Sequence, residues 1–474
     1  MTALWTHTEA AAATGGDATM PWTANGVSID SRSLQRGDLF IAIRGDNSDG
    51  HAHVADALSK GAAAAMVNES WANQSQASPV LAVEDTDRGM RDLARAARDR
   101  APARIIGVTG SVGKTGTKEM LALALGEQGE TAATQGNLNN HWGLPLSLAR
   151  MARTTEFGIY ELGMNHAGEI APLSEILRPD VALITTVESV HLEFFDSEEG
   201  IADAKAEIFT GLRDGGGAVL NRDNRHFDRL RRSAEAAGIT RLCSFGEHPD
   251  ATLRLTKAEP GPNGSNVTAE FGDRTLNYVV GAPGRHWVMN SLAALGAVHM
   301  IGADMDRAAA ALAGIRPMKG RGEQRAVTLK GGSFVLIDES YNASPASMRA
   351  AFDVLGATGP SGDGRRIAVL GDMLEIGESS PDAHAALAPD VLRNRVDIVI
   401  AAGDNMAHLV AALSDRAVTV HGSDSAAIHD RVLDTVRAGD VVMIKGSLGS
   451  RMIPIADALR ALDREDGHSA AGEA

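Results

Sequence analysis

The stretch from Arg104 to Thr117 reads R-I-I-G-V-T-G-S-V-G-K-T-G-T and constrains the fold more than any other segment of the chain. Its β-branched apolar residues predict a buried strand that stops at Thr109-Gly110. Three glycines then form a tight loop before the helical segment Lys118–Leu125. Such a strand, loop and helix start can cradle an oxyanion, because backbone N–H groups and the helix N-terminus face it.

Lys114 adds a full positive charge to this loop, and Thr115 places a hydroxyl where a Mg²⁺ between two phosphates needs a ligand. Strict Walker A spacing requires the first glycine at Val108, and it comes instead at Gly110. The loop is therefore a shortened variant, G-x-x-G-K-T. A glycine-rich turn that binds nothing is the alternative, but the Lys-Thr pair in this context favours a nucleoside triphosphate.

The composition limits the class of protein. A length of 474 residues suggests about three domains. The net charge of −16, from 45 Lys and Arg against 61 Asp and Glu, disfavours nucleic acid and anionic membranes as partners. A single cysteine, Cys243, excludes an internal disulfide framework, and neither a secretory signal nor a membrane-spanning run is present. We expect a cytoplasmic protein without membrane insertion.

Residues 1–102 are predicted to form a small mixed α/β domain. Strand-like runs occupy Val27–Ile29 and Leu39–Ile43, and a helical segment follows around Val54–Ala65. Two polar stretches lie beside the strand ends, Asp30-Ser31-Arg32 and Asp49-Gly50-His51. Small-molecule sites often lie there, but these residue types also shape ordinary turns, and the residues alone favour turns.

Strands and helices alternate through residues 103–318, which predicts a central α/β domain with a largely parallel sheet. The run Phe157–Leu162 contains Glu161 near its end, and the run Val181–Val187 leads to His191. Ligands of open α/β sheets lie at the carboxyl ends of strands, so we expect both side chains near Lys114. A solvated Glu and a structural His are the alternatives.

The sequence also predicts the secondary structure of other segments of the central domain. The loop Thr134–Pro145 is too rich in Asn to be mere filler, and Gly200–Leu212 predicts a helix in which Lys205 and Glu207 could be an ordinary exposed pair. Residues from about 240 to 282 predict short strands, and Gly284–Leu295 opens a helix that contains His286 and Asn290.

Residues 319–474 predict a Rossmann-like α/β domain, preceded by a basic, Gly-rich stretch, Arg316–Arg325, that is typical of a hinge. The predicted strands are Phe334–Asp338, Ile367–Gly371, Ile398–Gly403, Val418–His421 and Val441–Gly446. No G-x-G-x-x-G follows the first of them, so a dinucleotide is not implied. The tail after about residue 463 is predicted to be disordered.

Several motifs occur in a defined order along the chain: V-T-G-S-V-G-K-T, T-Q-G-N-L-N-N-H-W-G-L-P, Y-E-L-G-M-N-H-A-G-E-I, E-S-V-H-L-E with A-K-A-E-I-F, and I-D-E-S-Y-N-A-S-P-A-S-M. The early I-D-S-R and D-G-H and the late L-G-D-M-L-E-I-G and K-G-S add to them. In this order and spacing they make the sequence resemble the Mur ligase family of bacterial cell-wall synthesis over nearly its whole length.

The resemblance implies an ATP-dependent amide ligase that works through an acyl phosphate. The motifs, and the absence of D-N-P-R, imply the member that joins D-alanyl-D-alanine to UDP-N-acetylmuramoyl-tripeptide. We expect a monomer, a state that the motifs do not determine. Another Mur ligase or a folylpolyglutamate synthase-like ligase is the main alternative, and a P-loop regulatory ATPase is a second. The third residue of the peptide cannot be assigned from the sequence.

The resemblance also implies roles for individual residues. The catalytic set is Lys114, His191, Lys205 and Arg321. The ATP contacts are Thr109, Gly110, Ser111, Val112, Gly113, Lys114, Thr115, His286, Asn290, Arg321, Asp338 and Tyr341. The Mg²⁺ ligands are Thr115, Glu161, His191 and Lys205, with Lys205 carbamylated. The UDP-substrate contacts are Ser31, Arg32, Asp49, Gly50, His51, Asn137 and Asn140.

One departure from the family pattern affects the amine side of the site. The familiar K-G-S-R appears here as K-G-S-L-G-S-R, so any role of that arginine falls to Arg451.

Overall fold

The computed structural model describes residues 3–45, 47–75, 77–189, 192–261 and 264–463. The strands of this described part form sheets of two, five, nine and six members. With their helices, these sheets form three α/β domains, as the sequence predicts. No helix in the same residues is long and apolar enough to cross a membrane. His191 and the tail after residue 463 lie outside the described residues, and the domain boundaries after residues 102 and 318 remain predictions.

The N-terminal domain contains a five-stranded sheet with the order β2-β7-β6-β5-β4, in which β4 to β7 are parallel. Its strands, with the small pair β1 and β3, are β1 (Trp5–Thr6), β2 (Asp17–Ala18), β3 (Thr23–Ala24), β4 (Gly26–Ser28), β5 (Asp38–Ile41), β6 (Ala64–Asn68) and β7 (Val80–Val83). The helices are α1 (His7–Thr14), α2 (Val54–Ser59), α3 (Glu69–Ala72) and α4 (Thr86–Arg100).

The helix predicted over Val54–Ala65 is wrong in its second half. Helix α2 ends at Ser59, and Gly61 adopts a φ of +97° that turns the chain. Ala64 then begins β6, which is buried between β5 and β7. Alanine suits a helix locally, so the tertiary position of this segment overrides its helical propensity.

The central sheet has the order β16-β15-β14-β13-β12-β11-β8-β10-β9. Its strands β8 to β14 are parallel, as predicted. The strands are β8 (Arg104–Thr109), β9 (Thr131–Ala133), β10 (Phe157–Glu161), β11 (Val181–Ile184), β12 (Gly217–Asn221), β13 (Arg241–Gly246), β14 (Leu253–Gly261), β15 (Gly264–Phe271) and β16 (Arg274–Val280). The helices are α5 (Lys114–Gly126), α6 (Gly143–Ala149), α7 (Ile170–Leu177), α8 (Glu198–Ala206), α9 (Phe227–Ala236), α10 (Arg285–Met300) and α11 (Met305–Ala311).

Strand β8 lies inside this sheet, between β11 and β10, and apolar cores cover both faces of the sheet. In the ladder, Glu161 of β10 is opposite Val108, and Ile184 of β11 is opposite Thr109. The carboxyl ends of the three strands therefore meet at one edge, as expected for a parallel sheet.

The C-terminal domain contains a six-stranded sheet with the order β17-β18-β22-β19-β20-β21, which is parallel except for β17. Its strands are β17 (Glu323–Leu329), β18 (Gly332–Glu339), β19 (Arg366–Gly371), β20 (Ile398–Ala402), β21 (Val418–Gly422) and β22 (Val441–Lys445). The helices are α12 (Pro345–Ala357), α13 (Ser380–Ala385), α14 (Ala388–Arg393), α15 (Met406–Leu413), α16 (Ser425–Thr435) and α17 (Ile453–Ala461).

Strand β17 was not predicted. It begins at Glu323, inside the basic stretch expected to be a hinge, and pairs antiparallel with β18. The irregular connection from α11 into this sheet therefore ends before Glu323.

Candidate active site

The glycine loop between β8 and α5 has the conformation that an anion cradle needs. Gly113 precedes the helix with a φ of +84°, and a Cβ there would lie 2.6 Å from Asn290 Oδ1. A Cβ on Gly116 would lie 3.0 Å from Asn290 Nδ2. The two glycines thus let α10 bring Asn290 against the loop. Helix α5 begins at Lys114, four residues earlier than predicted, so the loop stands directly at a helix N-terminus.

Lys114 lies in this cradle. Its Nζ donates to the carbonyl oxygen of Gly110 at 2.6 Å. Desolvation lowers the pKa of Lys114, the nearby Glu161 carboxylate opposes this effect, and the charge of Arg321 adds to it. Two cations and one carboxylate therefore act on one another around the loop.

Glu161 and Thr115 present oxygen atoms at the same edge. The Thr115 hydroxyl donates to Glu161 Oε2 at 3.1 Å, and the amide of Asn139 donates to Oε1 at 2.9 Å. The Glu161 residue is only 2% exposed. Both oxygens of this buried carboxylate are therefore held in place by neutral hydrogen-bond donors.

These donors fit a hard divalent cation, which prefers oxygen ligands and often takes one or two carboxylates while phosphates supply the rest. Among the described residues, no three or more His, Cys, Asp or Glu side chains gather into a metal site. Thr115 and Glu161 match the smaller donor set of a magnesium–phosphate site.

Lys205 is fully buried in the last turn of α8, not exposed as an ordinary charge pair would be. Burial lowers its pKa well below the usual value, and the positive charge of Lys114 adds to this effect. No carboxylate in the described part of the chain offsets it. The amine of Lys205 is therefore favoured in its neutral form.

The loop that follows β11, residues 185–189 and here called the cavity loop, is bonded to the glycine loop. Thr185 donates from Oγ1 to the carbonyl oxygen of Val112 at 2.6 Å. Ser111 donates from Oγ to the carbonyl oxygen of Glu188 at 3.1 Å and accepts from the backbone N–H of Glu188 at 2.9 Å. These contacts fix the two loops against each other.

A cavity of about 1450 Å³ opens at the carboxyl edge of the central sheet, and residues of the central and the C-terminal domains form its walls. The predicted residues that line it are Ser111, Val112, Gly113, Lys114, Thr115, Asn137, Glu161, His286, Asn290, Arg321 and Tyr341. Residues that sequence reasoning missed also line it, among them Asn139, Thr185, Thr186, Glu188, Glu339 and Lys445. Four of these, Asn139, Glu188, Glu339 and Lys445, belong to motifs noted in the sequence, which was the available signal.

Arg321 stands at the boundary between the two walls. Its guanidinium lies over the Tyr341 ring, 4.2 Å from the ring centroid. On the same wall, Lys445 donates to Glu339 Oε2 at 3.3 Å and to the carbonyl oxygen of Asn342 at 2.9 Å. Arg349 and Arg393 also line the cavity, so the C-terminal domain brings four basic side chains to it.

Asp338, predicted to contact ATP, is not among the residues that line the cavity. It is 1% exposed, and its carboxylate accepts from the backbone N–H groups of Gly320 and Ser340 at 2.8 and 3.0 Å. Arg460 also pairs with it. Asp338 therefore fixes the chain that carries Arg321 and does not face the cavity.

Two other predicted residues have internal partners as well. The Thr109 hydroxyl is fully buried and donates to the carbonyl oxygen of Leu162 at 2.9 Å. Asn140 accepts from the backbone N–H of Gly143 at 2.9 Å and so caps α6. Neither Thr109, Gly110, Asn140 nor Lys205 is part of the cavity wall.

His286 and Asn290 lie in the first turns of α10, close to the glycine loop. Burial lowers the pKa of His286, which Glu339 opposes and Lys445 reinforces. A neutral imidazole and an amide can both donate and accept, and this suits a heterocyclic base.

The N-terminal candidates form a separate group outside this cavity. Asp49 Oδ1 lies 2.6 Å from His51 Nδ1, and His51 Nε2 accepts from the backbone N–H of Asn68 at 3.0 Å. Nδ1 must therefore carry the proton, which it donates to Asp49. A Cβ on Gly50 would lie 2.8 Å from the backbone nitrogen of Ile43, so glycine is required there.

Ser31 and Arg32 lie in the preceding loop. Ser31 is 8% exposed, whereas the Arg32 side chain is 87% exposed and pairs with Asp30 at 2.7 Å. Hydrogen bonds from Arg32 lower the pKa of Asp30 to about 2.

Comparison with known families matches three stretches of the chain. The model "Mur ligase family, catalytic domain" matches residues 23–98, "Mur ligase middle domain" residues 108–298, and "Mur ligase, glutamate ligase domain" residues 320–448.

Similar proteins extend over nearly the full length. The UDP-N-acetylmuramoyl-tripeptide–D-alanyl-D-alanine ligase of Rickettsia prowazekii is 32% identical, over 96% of this chain and 99% of its own. The protein of the same name from Escherichia coli is 33% identical, over 92% and 94%.

Solved structures agree with these sequence matches. A crystal structure of MurF from Acinetobacter baumannii has a TM-score of 0.83 at 28% identity and covers 96% of this chain and 99% of its own. MurF ligase from Thermotoga maritima in complex with ADP has a TM-score of 0.75 at 27% identity, over 92% and 97%.

Proposed function

We propose that this chain, which belongs to the Mur ligase family, joins D-alanyl-D-alanine to a carboxylate of UDP-N-acetylmuramoyl-tripeptide. The family supplies the coarser statement, an ATP-dependent amide ligase of peptidoglycan synthesis. The observation that carries the proposal is the cavity between the central and the C-terminal domains. It is lined by the glycine loop on one side and by Arg321 and Lys445 on the other. A ligase that activates one substrate and joins it to another needs such a meeting point.

The chemistry requires activation of the carboxylate, because an oxide leaving group prevents direct attack by an amine. The substrate carboxylate attacks the γ-phosphorus of ATP, which gives an acyl phosphate and ADP. The dipeptide amine then attacks the carbonyl carbon, and phosphate leaves as the amide forms. Both steps bring negative charges together, so positioning and cationic groups must supply the catalysis.

The residues around the glycine loop suit this task. Lys114 would leave the carbonyl of Gly110 to hold the β- and γ-phosphates, and Arg321 would approach the transferring group from the other wall. Thr115 and Glu161, with His191 and a carbamylated Lys205, would hold Mg²⁺, which neutralises phosphate charge when bound. His286 and Asn290 would contact the base, and Tyr341 the ribose side.

The separate N-terminal group would bind the UDP part of the substrate. We assign this role to Ser31, Arg32, Asp49, Gly50 and His51, with Asn137 and Asn140 nearer the reacting end. The Asp49–His51 pair is held by backbone contacts before any ligand arrives, which lowers the ordering cost of binding. Residues 1–102, 103–318 and 319–474 would then serve the UDP substrate, ATP and the amine in turn.

The test is ADP release from the purified protein with ATP, Mg²⁺ and UDP-N-acetylmuramoyl-tripeptide, with and without D-alanyl-D-alanine. The expected result is release that depends on the dipeptide, with one new amide product by mass spectrometry. Single amino acids serve as matched amines. Product with L-lysine or diaminopimelate on a shorter peptide, or with glutamate on a folate, would identify another ligase. Slow hydrolysis that ignores every amine would indicate a regulatory ATPase.

A further inference from the structure

The cavity loop is held from outside the cavity as well as from the glycine loop. Asn224, in the turn after β12, donates from Nδ2 to Thr186 Oγ1 at 2.9 Å and to the carbonyl oxygen of Val187 at 2.8 Å. Its Oδ1 accepts from the backbone N–H of His226 at 2.9 Å. One side-chain amide therefore fastens the cavity loop to the next turn of the sheet edge.

Glu198 is a second fastening point. It lies in the first turn of α8 and is 9% exposed. Its Oε1 accepts from the Ser189 hydroxyl at 2.8 Å, and its Oε2 lies 3.2 Å from His226 Nε2 and pairs with Arg225. A buried carboxylate is stable only with such partners, so its position is fixed by all of them together.

The two residues connect elements that are distant in sequence. Asn224 and Glu198 meet through His226, and between them they bond the cavity loop at Thr186, Val187 and Ser189. Glu198 also belongs to the helix that carries Lys205 seven residues later. Neither residue lines the cavity, so neither is placed to touch a nucleotide.

We infer that Glu198 and Asn224 are positioning residues, which hold the cavity loop and helix α8 in register with the glycine loop. Helix α8 carries Lys205 in its last turn, so the register of α8 sets where that side chain stands relative to Thr115 and Glu161. What this says of turnover rests on the proposed function. What it says of metal binding rests only on the proposed Mg²⁺ ligands and not on amide formation.

The test uses Glu198→Gln, Asn224→Ala and the double variant in the full chain. Glu198→Gln keeps the side-chain volume but replaces the acceptor of Arg225 and His226 with a donor. Ser189→Ala is a milder variant that removes only the loop-side bond to Glu198. Glu199→Ala is the matched control, because Glu199 is exposed in the same helical turn and carries the same charge.

Three quantities are measured: ADP affinity without metal, Mn²⁺ affinity of the ADP complex by electron paramagnetic resonance, and kcat with KM. We expect Glu198→Gln and Asn224→Ala to weaken Mn²⁺ binding about tenfold or more, since groups behind metal ligands typically matter by 10- to 100-fold. We expect kcat to fall by about 10- to 100-fold through misplacement of the reacting groups. ADP affinity without metal and the KM values for the UDP-tripeptide and the dipeptide should stay within about twofold, because the glycine loop and the N-terminal group are intact.

The double variant should be no worse than the stronger single variant, because both act through one loop. Glu199→Ala should match the wild type in all three measurements. Folded Glu198→Gln and Asn224→Ala variants with unchanged Mn²⁺ affinity would overturn the inference. If either variant unfolds, Ser189→Ala decides by the same criterion. A wild type that forms no amide while the variants still lose Mn²⁺ would refute the proposed function and leave the positioning role standing.

Discussion

Lys114 donates from Nζ to the carbonyl oxygen of Gly110 at 2.6 Å, so the lysine of the glycine loop folds back onto the residue that begins the loop. The bond keeps the cation inside the cradle, five residues after the strand end. In the described part of the chain, no carboxylate is bonded to Lys114 that a phosphate would have to displace. A loop arranged in this way can pass its lysine from a carbonyl to a phosphate by a small rotation.

Replacement of Lys114 by alanine should abolish ligation. The change removes the cation of the glycine loop, and the loss of such an electrostatic group typically costs on the order of a thousandfold in turnover. Folding should survive, because within the described residues the side chain bonds to its own loop alone. Turnover and thermal unfolding are measured together. Near-wild-type turnover of Lys114→Ala would mean that the nucleotide site is wrongly assigned.

Arg321→Ala should lower turnover more than ATP affinity. The guanidinium lies over Tyr341 on the C-terminal wall, where it can act on the transferring phosphoryl group but contributes little to holding the nucleotide on the glycine loop. Arg325→Ala is the control, because Arg325 lies four residues later in β17 and pairs with Asp463. An equal loss of ATP affinity in the absence of the other substrates would contradict this order of events.

Lys205 should be carbamylated in the active enzyme. Carbamylation requires a neutral amine, and burial with the charge of Lys114 lowers the pKa of Lys205 well below its usual value. The product carboxylate would suit Mg²⁺. Lys205→Ala should lose most activity and regain part of it in acetate, whereas acetate should not rescue Lys114→Ala.

The pH dependence of this modification follows from the same pKa. Because the pKa is lowered, the neutral amine persists toward neutral pH, and the modification should weaken only as pH falls below that lowered value. Nuclear magnetic resonance with ¹³C-labelled bicarbonate detects the carbamate carbon. A fully active enzyme without that signal would refute the modification.

Arg32→Ala should raise KM for the UDP substrate and leave kcat unchanged. One charge-assisted hydrogen bond contributes about 1.5–3 kcal/mol, which corresponds to roughly tenfold or more in affinity. The pKa of Asp30, about 2 beside Arg32, should rise toward its ordinary value in the variant. Arg36→Ala, an exposed change in the same loop, is the control. A fall in kcat without a change in KM would place Arg32 in another role.

The thiol of Cys243 should be inert in the folded protein. Burial raises its pKa to about 12, so almost no thiolate exists below about pH 10, and reagents cannot reach it. Titration with a disulfide reagent should find no reactive thiol in native protein and one per chain in guanidinium chloride. Rapid reaction of the native protein would show that the central sheet opens locally.

The sequence by itself determined the features that depend on neighbours along the chain. A strand, glycine loop and helix start with a Lys-Thr pair are local chemistry, and the predicted nucleotide loop has the expected conformation. The alternation of apolar strand-like runs with helical segments likewise predicted the parallel central sheet and the Rossmann-like C-terminal domain, because a buried strand must be apolar wherever it packs. The motifs predicted the glycine-loop side of the cavity wall, but only a minority of all the residues that line the cavity.

Only the tertiary structure decided which side chains meet. Ladder register places Glu161 beside Thr115, and packing buries Lys205, which the sequence alone could not distinguish from an exposed lysine. Asp338 carries a motif carboxylate yet turns inward, because Gly320, Ser340 and Arg460 supply its partners. Such outcomes depend on contacts between residues far apart in sequence. Their energies compete with local propensity and cannot be read from one segment.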